Sequence, residues 1–369
     1  SVNLYIETSG SMNGFFRANK ANKFKKTVWS VFSGLSPITP GIVNTMSNGG
    51  DIDASVSLNN FRTKMNAGTF ISNTSTHIPA MLHCIIGNIH PEKDEIAILV
   101  SDMKYSPTGH SAAPELIQYQ EQIRNTLAMY PGISLSFVCA GSEYLNPNGT
   151  IAEENSPYYY IIIGNSENVA AVRNDIARWC EATDSYIESG DMGMNYHTPS
   201  YSIHEVMNGM LSSEYPQNLI TTFDREVSDT CSFIVRIDMT GYPWHAVDAN
   251  ILNDCFTAKS TYGSAVDVVL LTDKEHLVDE HAYKGEFKRQ SYADYLIKVY
   301  NIDEVVEWTF TNKPFDSRYH MNFNNMITAE QENDLSGSFS FNKFLEGCFN
   351  ARLNTFDENP VRILISSYQ

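Results

Sequence analysis

The sequence predicts an α/β protein: an open, mostly parallel, doubly wound sheet, followed by a second, β-rich domain of sandwich-like form. Three observations carry that expectation. Strand and helix signals alternate over residues 1–184, a wholly apolar run occupies residues 96–100, and beyond residue 217 the pattern changes to period-two alternation. Strands alternating with helices make crossover units, and a continuous apolar run is what a strand covered on both faces requires.

Residues 2–6 form a short apolar run, and Phe24, Val28, Val31, Phe32 and Leu35 then recur at helical spacing. Ile52, Ala54, Val56 and Leu58 alternate with polar residues, which predicts a half-buried strand at a sheet edge. Ile78, Met81, Leu82, Ile85, Ile86 and Ile89 make the clearest amphipathic stripe in the chain. After the buried strand at 96–100, a helix begins beyond Ser111 and Pro114, with Leu116, Tyr119, Ile123 and Leu127 on one face. Strands at 133–138 and 158–163, and a helix marked by Val169, Val172, Ile176 and Trp179, complete a first domain over residues 1–184.

Residues 185–217 carry Gly190, Gly193, Pro199, Gly209 and Pro216 with weak periodicity, and are expected to be an irregular connection. A β-rich domain with one late helix is expected over residues 218–369. Its signals are the alternation of Phe233, Val235 and Ile237, the apolar run 266–271, a hairpin joining 295–300 to Val306, Trp308 and Phe310, and a closing strand with Val361, Ile363 and Ile365. The late helix is marked by Phe341, Phe344, Leu345, Cys348 and Phe349.

With 369 residues, two domains are the expectation. No stretch approaches the roughly 18–20 apolar residues of a membrane-spanning helix. A formal charge of −18 opposes non-specific attraction to nucleic acid or anionic lipid. The one basic cluster, Lys20, Lys23, Lys25 and Lys26, reads as a solvated helix face. Six cysteines lack the paired spacing of a zinc site and the density of a disulfide scaffold, and Cys84 and Cys139 fall on apolar stripes. The chain begins at Ser1 directly before an apolar strand, so an initiator Met or a signal peptide is expected to be missing from it, and export or the cell surface is favoured over the cytoplasm.

Three polar clusters lie where an open α/β sheet places its binding crevice, at the carboxyl ends of strands. Glu7, Ser9 and Ser11 follow the first strand, Thr76 precedes the helix of residues 78–89, and Asp102 follows the buried strand. In an extended loop, positions i, i+2 and i+4 point to one side, so Glu7, Ser9 and Ser11 can converge. Two carboxylates and three hydroxyls suit a hard cation such as magnesium and leave a position for an outside ligand.

Glu7-Thr8-Ser9-Gly10-Ser11, Thr76 and Asp102 resemble the metal-ion-dependent adhesion site of the von Willebrand factor A family, whose pattern is Asp-x-Ser-x-Ser, then Thr, then Asp. The resemblance covers about residues 1–184. It implies a Mg2+ ion, or Mn2+ or Ca2+, held by Ser9, Ser11 and Thr76, with Glu7 and Asp102 bound directly or through water. Thr74 is the alternative threonine. It also implies an adhesion-type partner, a protein that contributes an acidic side chain. The first position departs from the pattern, because Glu7 stands where the family has Asp and its extra methylene displaces the carboxylate.

Two rival readings stand beside this one. A degenerate A-type scaffold would bind without metal, its polar groups serving as turn and cap partners: Thr76 as a helix cap, Asp102 as the cap of a turn. A serine or metal-dependent hydrolase would use Ser9 or Ser11 with a histidine base, of which His77 is nearest in sequence to the cluster; His197 and His204 match no metal motif, and no Gly-x-Ser-x-Gly elbow supports the serine enzyme.

Overall fold

The computed structural model describes residues 1–17, 21–47, 49–105, 113–193, 200–216, 218–222, 230–240, 249, 252–253, 256–260, 265–283, 287–302, 305–312, 328–329, 331, 333–352 and 361–367. The chain divides into two compact units, Ser1–Asn195 with Phe323–Thr355, and Tyr196–Asn322 with Phe356–Gln369.

The first unit opens with β1 (Val2–Glu7), α1 (Asn13–Phe16), α2 (Lys23–Gly34), β2 (Ile42–Met46), β3 (Ile52–Ser57), α3 (Leu58–Ala67) and α4 (Ile78–Gly87). It continues through β4 (Ile96–Ser101), α5 (Ala113–Ala128), β5 (Ser134–Leu145), β6 (Ile151–Gly164), α6 (Ser166–Ala182) and β7 (Tyr186–Asp191). These strands make one seven-stranded sheet in the order β3-β2-β1-β4-β6-β5-β7. The centre is parallel, β1 pairing β2 and β4, with Leu4 opposite Val43 and Ile98. β4 is buried along its whole length, as its unbroken apolar run requires.

The outer pairings are antiparallel, so the sheet expected to be mostly parallel is mixed, with its parallel pairings confined to the centre. The reason is local. The strands expected at 133–138 and 158–163 are joined by a hairpin instead of a helical crossover, and β6 inserts between β4 and β5. The turn at Asn146-Pro147-Asn148-Gly149 closes with Asn146 N donating to Thr150 O at 2.8 Å, and Gly149 sits at φ +80°, a conformation glycine adopts without a Cβ penalty. β3 is the expected edge strand, but its pattern is exposed almost throughout, and Ile52 remains 37% exposed.

Successive residues of the central strands face opposite layers. Tyr5, Leu99, Phe137, Tyr159 and Ile161 join the apolar stripes of α4 and α5 in one cluster. On the alternate positions, Tyr158 packs edge-on against Phe15 and Phe24 of α1 and α2. The segment expected to be irregular contributes β7 to this sheet. Its weak periodicity reflects buried polar side chains, Ser189 and Asp191, the latter ion-paired with the fully buried Arg173 of α6.

The second unit holds β8 (Tyr201–Met207), β9 (Gly209–Leu211), β10 (Leu219–Thr222), β11 (Cys231–Asp238), β12 (Phe256–Ser260), β13 (Val266–Leu270), β14 (Leu277–Tyr283), β15 (Phe287–Val299) and β16 (Val305–Asn312). The chain then returns to the first unit with β17 (Thr328–Ala329), β18 (Ser338–Phe339) and α7 (Phe341–Arg352), and ends in the second with β19 (Val361–Ser367). One sheet runs β12-β16-β19-β10-β9; the other runs β13-β15-β11-β8 and is antiparallel, with β14 also on β15.

Two expectations fail in this region. Residues 295–300 and 306–310 form no hairpin, because β15 and β16 belong to different sheets. The late helix belongs to the first unit: Phe341, Phe344, Leu345 and Cys348 enter the cluster of α4 and α5. An amphipathic stripe reports that a face is buried, not which core receives it.

Candidate functional site

β1 and β4 are parallel neighbours, so their carboxyl ends lie side by side and place Glu7 and Asp102 in the same region. Glu7 is the last residue of β1 and Asp102 follows the last residue of β4. Past Glu7 the chain stays extended at Ser9 (φ −75°, ψ 174°) and then tightens into a 3-10 turn, Gly10–Met12. That extended-then-tight path, rather than a uniformly extended loop, brings the Ser9 and Ser11 hydroxyls to 3.0 Å.

Glu7 is fully buried, and three hydroxyls surround its carboxylate. Ser9 donates to Oε1, Thr76 Oγ1 lies 2.6 Å from Oε1 and 2.9 Å from Ser9 Oγ, and Ser101 donates to Oε2. A hydroxyl has one proton and two lone pairs, so hydroxyls that give their protons to Glu7 turn oxygen lone pairs away from it. Burial pushes the Glu7 carboxyl up to about 7, the nearby Asp102 charge adds to the rise, and the three hydroxyls oppose it.

Asp102 is 1% exposed. Its Oδ1 accepts from Lys104 N at 3.1 Å, the turn bond anticipated for it, and its backbone carbonyl accepts from Ser338 Oγ at 2.8 Å. Burial raises its pKa, opposed first by the Lys104 ammonium and then by the Lys104 amide and the Ser11 hydroxyl. Oδ2 nevertheless lacks a hydrogen-bond donor at proper geometry. A buried, unsatisfied carboxylate oxygen costs free energy and calls for a reason. Met103, next along the chain, takes φ +56° with its side chain fully buried, and its amide donates to Ser101 Oγ at 2.8 Å. A non-glycine residue in that region is strained, and such strain clusters at functional sites.

The structure thus joins Glu7, Ser9, Ser11 and Thr76 by hydroxyl contacts and couples Asp102 to Glu7 and Ser11. Thr74 is directed elsewhere: its hydroxyl lies 3.0 Å from Ser72 Oγ, and its carbonyl accepts from Gly10 N at 2.9 Å, bracing the loop. Thr76 is not the cap of α4. His77 holds that place, its Nδ1 accepting from Ala80 N at 3.2 Å, which occupies the ring nitrogen a base would need. His204 lies on β8 beside Ser202, outside this unit, and His197 lies outside the described residues.

Sequence reasoning passed over Ser101, Lys104 and Ser338. Ser101 ends an apolar strand and reads as part of it. Lys104 is 5% exposed, its Nζ donating to Asp334 O at 3.0 Å, while Ser338 is separated from Asp102 by 236 positions. Ser101→Ala is expected to leave Glu7 Oε2 without its donor and to cost roughly 1–3 kcal/mol. Urea denaturation at neutral pH measures this, and an unchanged midpoint would show that Ser101 does not hold the carboxylate.

Among the described residues no group of three or more His, Cys, Asp or Glu side chains converges as a metal site. The cluster around Glu7 holds two carboxylates, Glu7 and Asp102, together with the hydroxyls of Ser9, Ser11, Thr76 and Ser101. No helix among the described residues is long and apolar enough to cross a membrane. No protein-family model, curated protein or solved structure matches this chain.

Proposed function

We propose that the first unit is a von Willebrand factor A-like domain whose adhesion-type site binds a divalent cation and, through it, an acidic side chain of a partner protein. The observation that carries this reading is the buried Asp102 Oδ2, which lacks a donor at proper hydrogen-bond geometry in a cluster where Glu7 orients the Ser9 and Thr76 hydroxyls and Ser9 in turn contacts Ser11. Ser9, Ser11, Thr76 and Asp102 Oδ2 would hold the ion, Mg2+ first, with Mn2+ or Ca2+ as alternatives. Glu7 serves as the outer carboxylate that fixes the hydroxyls.

The fit is dimensional as well as chemical. Adjacent ligands of an octahedron with metal–oxygen distances near 2.0–2.1 Å lie about 2.8–3.0 Å apart. The Ser9–Ser11 and Ser9–Thr76 oxygen separations are 3.0 and 2.9 Å, values that serve equally as hydrogen bonds. When bound, the cation supplies a Lewis-acidic position for an external carboxylate. That accounts for an acidic protein engaging an acidic group. In this reading the second unit is a sandwich-like partner domain.

The Lys104 ammonium, buried and acting on Asp102, favours one second reading: a scaffold that neutralises its own site and binds without metal. Cation titration separates the two. Magnesium or manganese is expected to stabilise the chain against heat relative to EDTA, by about 2.7 kcal/mol when the cation is at roughly 100 times its Kd. Asp102→Ala is expected to abolish that shift. Melting that is indifferent to cation, or a shift that survives in Asp102→Ala, removes the metal reading. For the partner, random peptides captured in magnesium and released by EDTA should be enriched in Asp or Glu.

A further inference from the structure

A cleft of about 430 Å³ opens where the first turn of α2 meets α3. Its charge runs against that of the whole chain. Against 43 acidic and 25 basic side chains overall, the cleft is lined by Lys25, Lys26 and Arg62 and by no carboxylate. Two helices contribute these cations, so the cluster is a concave feature rather than one solvated helix face.

Its walls are also suited to more than a bare ion. The Arg62 guanidinium lies over the Trp29 ring, 4.6 Å from its centroid, and Met65 adds apolar surface. Among the described residues neither Lys26 nor Arg62 lies within ion-pair distance of a carboxylate; Asp184, which Lys26 influences electrostatically, is paired with Lys23. Lys25 is 6% exposed, and its Nζ donates to Arg17 O at 2.5 Å.

We propose that this cleft binds an organic phosphate, the phosphate held by Lys25, Lys26 and Arg62 and a planar aromatic body resting against Trp29 and Met65. Arg supplies a planar fork of donors and Lys a compact charge, a pairing suited to phosphate oxygens. The volume lies within the range of small-molecule sites, about 300–1,000 Å³, and exceeds what inorganic phosphate fills. Two sources share this chemistry: a nucleotide, and a phosphorylated tyrosine side chain. The site uses none of the residues around Glu7 and stands or falls independently of the cation reading.

Trp29 makes the test direct. Tryptophan fluorescence of the full chain is titrated with AMP, with O-phosphotyrosine, and with adenosine, tyrosine and inorganic phosphate as controls. Saturable binding is expected for AMP or O-phosphotyrosine, the tighter of the two identifying the source, with each control weaker by about tenfold or more. Lys26→Glu and Arg62→Glu change exposed side chains and are expected to keep the fold; each is expected to weaken binding about tenfold or more, equivalent to 1.4 kcal/mol. Added salt is expected to weaken it too. Trp29→Phe should remove the fluorescence change, and calorimetry reads the remaining affinity. Absence of saturable binding by calorimetry, binding unaltered in Arg62→Glu, or equal affinity for the unphosphorylated controls overturns the proposal.

Discussion

Phe341→Ala is expected to destabilise the first unit by about 3–5 kcal/mol, the usual cost of removing a buried aromatic ring and leaving a cavity. Phe341 is fully buried at the start of α7. Its ring centroid lies 4.2 Å from that of Tyr159 and 5.5 Å from that of Phe137, and it stacks on Phe344 at 6.0 Å. Because Tyr159 and Phe137 project from β6 and β5, the ring ties the returning segment to the centre of the sheet. Immediately before it, Ser338 bonds the Asp102 carbonyl and Ser340 takes φ +65°. Losing the anchor therefore loosens the site as well as the core. Urea denaturation gives the stability change, and Ile117→Ala, on α5 at a residue 66% exposed, is the control expected within about ±0.5 kcal/mol. A cost below about 1 kcal/mol for Phe341→Ala would show that α7 is not part of that core.

The anchor also marks where sequence reasoning stops. The unbroken apolar run of β4 was legible from its short length and its charged flanks, and the stripe of α4 from its sustained helical period. The stripe of α7 was legible as a helix but silent about its destination, since a period of 3.6 describes a face and not a partner. The β5–β6 hairpin was hidden in a different way: Asn146-Pro147-Asn148-Gly149 is a turn signal, but with the strands read as 133–138 and 158–163 it lay inside a long connection that a helical crossover could also fill. β7 escaped notice because Ser189 and Asp191 are buried polar residues, and hydrophobic periodicity cannot register them. At the site, Glu7, Ser9, Ser11 and Asp102 were readable because they follow strands, Thr76 because it precedes a helix, and the set as a whole because its order resembles a known pattern. Ser101 was not, since a serine closing an apolar strand looks like strand, and Ser338 reaches Asp102 only through tertiary folding.

Chain stability in EDTA is expected to fall as pH rises from about 5 to about 8, the reverse of what exposed, ion-paired carboxylates produce. Burial, helped by the Asp102 charge, lifts the Glu7 pKa from 4.5 to about 7. Between those values the folded chain holds a proton that the unfolded chain has released, so the slope of stability with pH is negative. A rise of that size corresponds to about 3 kcal/mol once the pH has passed 7. Asp102, raised by its own burial, acts in the same direction. Glu7→Gln keeps the shape of the side chain, and its amide can donate to Ser101 Oγ while its carbonyl accepts from Ser9 and Thr76. That variant is expected to flatten the part of the slope due to Glu7 and to leave the remainder. A divalent cation favours the ionised carboxylates, so in magnesium the fall should shrink or vanish, and cation affinity should rise over the same pH interval. Urea midpoints measured at intervals from pH 5 to pH 8, with EDTA and with magnesium, read all of these together. Stability that rises with pH in EDTA, or an identical slope in Glu7→Gln, would mean that Glu7 does not carry its proton in the fold and that the hydroxyls around it already satisfy the charge.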